Sequence, residues 1–465
     1  MEFKKLIDRT KETDRIKSAL RRDSTQFIVV YGRRRIGKST LIKHIVNAQE
    51  HAVYFLSDTS AETVQRAAFA KSVAEVIEGF DKVVYPDWES LFRSLNNQLS
   101  ERILVCMDEF PYLVKSCETL PSVIQKLLNE KMLKFDLLLC GSSQQLMHGY
   151  VLNRQSPLYG LANEIIKMRP IAAQYMSEAM ECDASQAVEE FAIWGGVPRY
   201  WELRRDYPDK ETAIRKVLLD PQGPLMEEPQ CLLRDDMRDT VQASTLLTLI
   251  GNGANKISEI AARAGKEAST LSEPLAKLRD LGYVCREVPF GDNLKKSKKG
   301  LYHISDSLLR FHYQFIVPYR SILELGKTDT VMQVVQTQLP QFYGQCWELL
   351  CRDYVSGNIM YGVAYGMASR WWGRIFPPQD GKDGRMVELD VVAESLDKKH
   401  ILIGECKWTH NDSADRLMAA LHEKAKYLPF IKRGQEVHLV LFLKEQPNCM
   451  TGNVRIVLPD DVMGT

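Results

Sequence analysis

The stretch QFIVVYGRRRIGKSTLIKHIV, Gln26 to Val46, decides how the first part of the chain folds. Its apolar, β-branched start predicts a strand over Phe27–Tyr31, and its end carries apolar residues at helical spacing. Between them lies G-x-x-x-x-G-K-S, with Gly32, Gly37, Lys38 and Ser39. Such glycines let the backbone curl until successive N–H groups point at a phosphate, and the helix start adds its positive end. Gly32, Arg35, Ile36, Gly37, Lys38, Ser39 and Thr40 are the expected ATP contacts. In that pattern Lys38 bridges the β- and γ-phosphates and Ser39 ligates Mg²⁺. Arg33, Arg34 and Arg35 read as solvated basic residues around the anion site, with a grip on a partner's phosphates as the alternative.

Further along, ERILVCMDEFPYLV (Glu101–Val114) is an apolar strand ending in Asp108 and Glu109. Asp108 is expected to hold Mg²⁺ through water and Glu109 to polarise the attacking water. FDLLLCGSSQQL (Phe135–Leu146) delivers Ser142 and Ser143 to a strand end, where one of them is expected to sense the γ-phosphate, Ser142 being the expected nucleotide contact. These segments, with HAVYFLSD (His51–Asp58) and EIIKMRPI (Glu164–Ile171), alternate with helical stretches. The expectation is a multidomain α/β protein opening with a mainly parallel, helix-flanked sheet.

At 465 residues the chain exceeds one ordinary core and suggests three or four domains. A net charge of +1 gives no global pull toward nucleic acid or membranes, so such binding must come from local patches. Ten cysteines without C-x-x-C spacing, several in apolar runs (Cys106, Cys140, Cys285), fit reduced thiols and a cytoplasmic location. The charged start MEFKKLIDRTKETDRI has no apolar signal core, and no apolar run reaches membrane-spanning length.

The middle segment Ser244–Val288 has the layout of three short helices and a strand, with Ser258 expected to cap the second helix and Gly265 to make the turn. Pro274 is compatible with the third helix only in its first turn. A hairpin follows, with Lys295, Lys296, Lys298 and Lys299 at its tip. Together these predict a winged helix-turn-helix.

Toward the C-terminus, MVELDVVAES (Met386–Ser395) and ILIGECKW (Ile401–Trp408) alternate as strands around a turn at Asp397–Lys398. A symmetric hairpin sets Asp390 opposite Glu405 and Glu388 opposite Lys407, all on one face. Opposed carboxylates repel unless a cation such as Mg²⁺ lies between them, and a lysine beside them can position or deprotonate a water. QFYGQCWELLCRDYV (Gln341–Val355) reads as a helix offering Glu348 as a further ligand, and SRWWGRIF (Ser369–Phe376) as a strand ahead of the hairpin. Asp390, Glu405 and Lys407 are thus catalytic candidates, and Glu348, Asp390 and Glu405 metal ligands.

IDRTKETDRI (Ile7–Ile16), GRRRIGKST, VCMDEF, CGSS, SPLYG (Ser156–Gly160) and WGGVPRYW (Trp194–Trp201) together resemble prokaryotic P-loop ATPases related to the STAND and origin-recognition branches of the AAA+ class, the archaeal ATPase family. That resemblance implies a helical lid containing Gly195, Gly196, Pro198 and Tyr200, with Arg9 near the adenine side. Relatives carry an arginine after PLYG, where this chain has Leu161, so the activating cation is unassigned; Arg154 and Arg169 are substitutes by proximity alone. The C-terminal part, from about Gln338, resembles the nuclease-like domain of PD-(D/E)xK motif that follows such ATPases, of the type called domain of unknown function 234. The expected organisation is an ATPase core over 1–170, a lid over 171–238, a winged helix over 239–325, and a mixed α/β, restriction-endonuclease-like domain over 326–465. The expected function is an ATP-hydrolysing switch coupled to a Mg²⁺-dependent nuclease, with DNA contacted by the four lysines and the C-terminal domain. The alternative is a signalling ATPase whose C-terminal domain only binds. ATP-dependent homo-oligomerisation would supply an arginine in trans, and no membrane partner is expected.

Overall fold

The computed structural model describes residues 6–131, 133–378, 383–410, 413–448 and 454–464. The chain divides into two compact units. One comprises the chain up to Ile171 with Gly196–Glu202 and Cys231–Arg238; the other comprises Ala172–Gly195, Leu203–Gln230 and the chain from Asp239 onward. No helix among the described residues is long and apolar enough to cross a membrane.

The first unit is built on five strands: β1 (Phe27–Tyr31), β2 (Ala52–Leu56), β3 (Ile103–Asp108), β4 (Phe135–Gly141) and β5 (Glu164–Lys167). They pair in the order β2-β3-β4-β1-β5, and every pair is parallel. The reason is legible in the strands: β3 and β4 are buried at every position, so both faces need helical cover. Helices Glu62–Ala74, Trp88–Gln98 and Leu120–Asn129 supply part of it. Phe69 packs edge-on against Phe55, Trp88 and Phe92 in that layer. The chain leaves β1 for distant β2 and returns to β1's other side at β5. The C-terminal end of β1 is therefore the switch point where such sheets bind ligands.

In the second unit, helices Thr240–Gly251, Ile257–Ala264 and Ala268–Asp280 precede the antiparallel pair β6 (Val284–Glu287) and β7 (Leu301–Ile304). Two details depart from expectation. Ser258 lies inside its helix, whose N-cap is Lys256 with no side-chain cap bond. Lys256 instead bridges to Leu301, so the hairpin fixes the helix start. Pro274 lies well past the first turn of an unbroken helix. Leu271, Leu275 and Leu278 bury one face of it, which outweighs the missing N–H, and Thr270, whose carbonyl loses that donor, is exposed. Gly265 makes the expected left-handed turn, and the four tip lysines are all exposed.

After a short hairpin of β8 (Ile359–Met360) and β9 (Val363–Ala364), the second sheet runs β10 (Ser369–Ile375), β11 (Arg385–Glu394), β12 (His400–Lys407), β13 (Glu436–Leu443) and β14 (Ile456–Val457). These pair in sequence order, the first two ladders antiparallel and the last two parallel. The β11–β12 register runs from Val391↔Gly404 to Glu394↔Ile401, the spacing expected of a symmetric hairpin. Its turn is held by Asp397, whose Oδ1 accepts from Ser395 Oγ and Lys399 N, with Lys398 left-handed at φ 61°. A 28-residue helix, Thr328–Val355, with Pro340 inside it, packs on β11 and β12. Near its start Asp329 pairs with Arg215; near its end Arg352 pairs with Glu287 of β6.

Candidate functional site

At the end of β1 the loop closes tightly. A Cβ on Gly32 would lie 2.6 Å from the Met168 carbonyl oxygen and 2.7 Å from Ile36 Cδ1, so only glycine fits. Arg35 adopts the left-handed region at φ 65°, and the helix Lys38–Val46 starts behind Gly37. Lys38 is 4% exposed, and its Nζ donates to the Arg33 carbonyl at 2.9 Å. The ammonium is thus held by its own loop, at a contact that a phosphate oxygen can replace. Ser39 and Thr40 open the helix.

Of the three arginines, Arg33 is buried and Arg34, partly exposed, is paired. Arg33 is 5% exposed and donates to the Tyr200 hydroxyl at 2.9 Å, while Arg34 pairs with Asp235 at 3.1 Å. They tie the loop to the Gly-Gly-x-Pro stretch and to the helix Glu228–Asp236. The tertiary partners lie some 170 and 200 positions away in sequence, at Tyr200 and Asp235, where no local pattern could announce them. Pro198 faces the loop, its Cγ 3.9 Å from where a Gly37 Cβ would stand. Gly196 lets the chain press on Ile171: the two exchange a 2.7 Å backbone bond, and a Cβ would fall 2.0 Å from the Ile171 carbonyl. Arg9, 4% exposed, donates to the carbonyls of Ile36 and Arg169, both at 3.0 Å, so it braces the loop from beneath.

The acidic pair is equally constrained. Asp108 is fully buried; its Oδ2 accepts from the Tyr54 hydroxyl at 2.8 Å and its Oδ1 from Glu109 N at 2.9 Å. Tyr54 was not anticipated; it lies on β2 beside β3 and also contacts Ser39. Burial and the Asp108 charge push its hydroxyl pKa up, keeping it a donor. Ser39 and the oriented Asp108 carboxylate are oxygen donors of the kind Mg²⁺ prefers, so the residues present fit that ion. Glu109 sits at φ 54°, a conformation costing roughly 1–2 kcal/mol for a residue with a Cβ. Its Oε2 accepts from both Ser142 Oγ (2.8 Å) and Ser142 N (3.2 Å). Ser142 therefore holds Glu109, while Ser143 caps the next turn through Leu146 N. A cavity of about 190 Å³ opens beside Glu109 and Ser142, lined also by Lys115, Arg234 and Arg238. Arg154 and Arg169 are both exposed, and Leu161 packs against the core.

In the second unit, Glu348, Asp390, Glu405 and Lys407 gather where the β11–β12 ladder stops. One residue beyond Val391↔Gly404, the Asp390 carboxylate takes the N–H of Cys406 at 2.8 Å, and its own carbonyl accepts from Arg352 at 2.9 Å. Burial and the neighbouring Glu405 charge raise the Asp390 pKa, against the Cys406 N–H and Lys407. Burial and the Asp390 charge raise Glu348 to about 7, although Arg352 lies 3.8 Å away. Glu405 behaves oppositely. Burial would raise it, but hydrogen bonds from Lys407 and Lys424, both 2.9 Å, hold it low. For Lys407, burial is outweighed by Glu405, and its pKa rises. Lys424, on the helix Ala414–Ala425, was not foreseen, because helix-to-sheet packing brings it in. Glu388 lies apart, mostly exposed and paired with Arg370 at 2.9 Å. Half-buried carboxylates, Asp390 raised by desolvation and the Glu405 charge and Glu348 by desolvation and the Asp390 charge, form with Glu405 a donor set suited to a hard divalent cation.

Beside Glu348 a cavity of about 670 Å³ is lined by Glu287, His303, Arg310, Arg352, Arg370 and Trp408. Buried nitrogens of His303, Arg310, Arg370 and Trp408 have no hydrogen-bond partner among the described residues.

Residues 6–201 match the family model described as an ATPase domain predominantly from Archaea, and residues 312–419 match one described as archaeal and bacterial proteins of unknown function. An uncharacterized protein of Methanocaldococcus jannaschii is 28% identical over 432 residues, covering 90% of this chain and 92% of its own length. Among solved structures, the Aeropyrum pernix ORC2 protein in its ADPNP and ADP complexes is 13% identical, with a TM-score of 0.44, over 72% of this chain and 97% of its own. Cdc6p from Pyrobaculum aerophilum is 12% identical, with a TM-score of 0.35, over 72% and 96%. The phosphate loop and the acidic strand end both lie within residues 6–201, the stretch that matches the ATPase family model.

Proposed function

We propose that the chain is an ATP-hydrolysing switch controlling a Mg²⁺-dependent phosphodiesterase at Asp390, Glu405, Glu348 and Lys407, with DNA as substrate. The observation that carries this is the junction where Asp390 leaves the β11–β12 ladder: one N–H orients its carboxylate toward a second and third acid. Mg²⁺, when bound by Asp390, Glu405 and Glu348, supplies charge for activating water and stabilising the leaving oxygen. Lys407, its pKa raised, stays protonated at neutral pH. It therefore stabilises charge developing on a phosphate rather than removing a proton. The partnerless Nε–H donors of Arg310 and Arg370 are ones from which phosphodiester oxygens can accept.

On this reading the three helices and the β6–β7 hairpin are a winged helix, whose Lys295, Lys296, Lys298 and Lys299 grip phosphates without regard to sequence. The domain limits near residues 170, 238 and 325 belong to the same proposal. At the other site Lys38 binds the β- and γ-phosphates, Ser39 and Asp108 hold Mg²⁺, and Glu109, carried by Ser142, polarises water. Lys115, Arg234 and Arg238 are cations beside Glu109 within the chain, lessening the need for one in trans.

The test is incubation of the full chain with plasmid and linear DNA, with Mg²⁺ or Mn²⁺, with and without ATP. Cleavage lost in Asp390→Ala is expected; identical behaviour of wild type and variant under every nucleotide condition ends the nuclease reading. One observation favours a signalling ATPase instead: both Glu405 oxygens are taken by lysines. That alternative gives ATP binding, lost on Lys38→Ala, with no cleavage, and an ATP-dependent mass change in Glu109→Gln.

A further inference from the structure

A second set of ligating side chains occupies the other end of β12. In the parallel β12–β13 pair, His400 is opposite Glu436 and Leu402 opposite His438. The two-residue period of strands puts His400, Glu436 and His438 on one face, away from the side that carries Glu405 and Lys407. Five positions separate His400 from Glu405, about 17 Å of strand. One donor atom from each of the three residues lies within 4.8 Å of the others. Nε2 of His438 is 3.1 Å from one Glu436 oxygen, and Nδ1 of His400 is 3.5 Å from the other.

We propose that His400 Nδ1, His438 Nε2 and the Glu436 carboxylate bind a borderline divalent transition metal, of which zinc is the representative. Three observations carry this. First, His400 Nδ1 is buried and has no hydrogen-bond partner among the described residues, a costly state that a metal bond would relieve. Second, His438 is 5% exposed, and its Nδ1 lies 2.6 Å from the hydroxyl of fully buried Tyr365. With a metal at Nε2, Nδ1 donates to that oxygen, the outer-shell partner that holds a ligating imidazole in its metal-binding tautomer. Third, the separations suit the ion. Tetrahedral zinc, with bonds of about 2.0–2.2 Å, spaces its ligands about 3.3 Å apart, close to the two contacts above. Two imidazoles and one carboxylate select zinc-class ions over Mg²⁺, which prefers oxygen alone. Glu436 is exposed, so a fourth position opens to water. Asp397 lies 4.0 Å from His400 Nε2, on the side away from the ligands.

A metal there clips the first residues of β12 to β13, and so fixes the register that places Glu405 beside Leu441 and Lys407 beside Leu443. The test uses the full chain, stripped with a chelator, reloaded with zinc and dialysed, with Co²⁺ absorption as a second readout. Expected are one zinc per chain, tetrahedral-type Co²⁺ bands, and a rise in Tm on zinc addition. His400→Gln and Glu436→Gln, both partly exposed positions, should each weaken zinc binding at least tenfold with unchanged circular dichroism. Asp390→Ala should leave zinc binding intact whether or not the nuclease reading holds. No retained zinc in wild type, unchanged binding in both ligand variants, or loss confined to Asp390→Ala would overturn the proposal.

Discussion

The nucleotide loop and the C-terminal acidic cluster handle buried charge in opposite ways. Around Lys38 and Asp108 each charge is met by a group close in sequence or on a neighbouring strand: the Arg33 carbonyl, the Glu109 N–H, the Tyr54 hydroxyl. The loop is organised before any ligand arrives. At the C-terminal cluster, Asp390 and Glu348 are half-buried near each other, and desolvation and neighbouring carboxylate charge raise the pKa of both. The first site is electrostatically settled; the second is strained in a way that only an added cation, or a proton, relieves. Preorganisation and stored repulsion are two ways of arranging charge, and this chain shows both.

The sharpest break of that comparison is Lys38→Ala. It should weaken ATP binding at least about 100-fold, some 3 kcal/mol of charge-assisted contact, measured with a fluorescent ATP analogue. Mn²⁺ binding at the C-terminal cluster, followed by calorimetry, should stay unchanged. Next is Asp390→Asn, expected to lower Mn²⁺ affinity at the cluster about tenfold or more while ATP affinity stays within twofold. If either variant disturbs the other site, the two are not independent in their charge balance.

A smaller effect concerns pH. The folded-state pKa of Glu348, about 7, is above its ordinary value. Ionisation therefore penalises the fold: the penalty is absent below about pH 4.5, grows as pH rises to 7, and is constant above. Glu348→Gln should stabilise the metal-free chain by about 1–2 kcal/mol at pH 8, after allowance for partial solvent access, and by nothing at pH 4. Amide exchange of β11 and β12 at the two pH values reads this directly. Smallest is Tyr200→Phe, which removes one hydrogen bond to Arg33 and should cost about 1 kcal/mol in urea unfolding of the first unit.

Much of this was legible in the chain. The strand before Gly32, the Asp108–Glu109 strand end and the β11–β12 register follow from short-range rules, period two above all, which leaves a hairpin no freedom once its turn at Asp397–Lys398 is located. What escaped are contacts made by packing between distant segments: Arg33 on Tyr200, Tyr54 on Asp108, Lys424 on Glu405. Ser258 misled because a good capping residue stood two places beyond an N-cap, Lys256, that a β-bridge had already fixed.

The helix Thr328–Val355 has a mechanical consequence. Buried Val331 and Met332 seat its start, and Glu348 lies 19 positions beyond Asp329, a lever arm of about 28 Å at 1.5 Å per residue. A tilt of about 3° at the seated end then moves the Glu348 end by about 1.5 Å. That is more than half of a metal–oxygen bond. Pro340, between the two points, forfeits a rung of the helical ladder and marks where such a rod yields first.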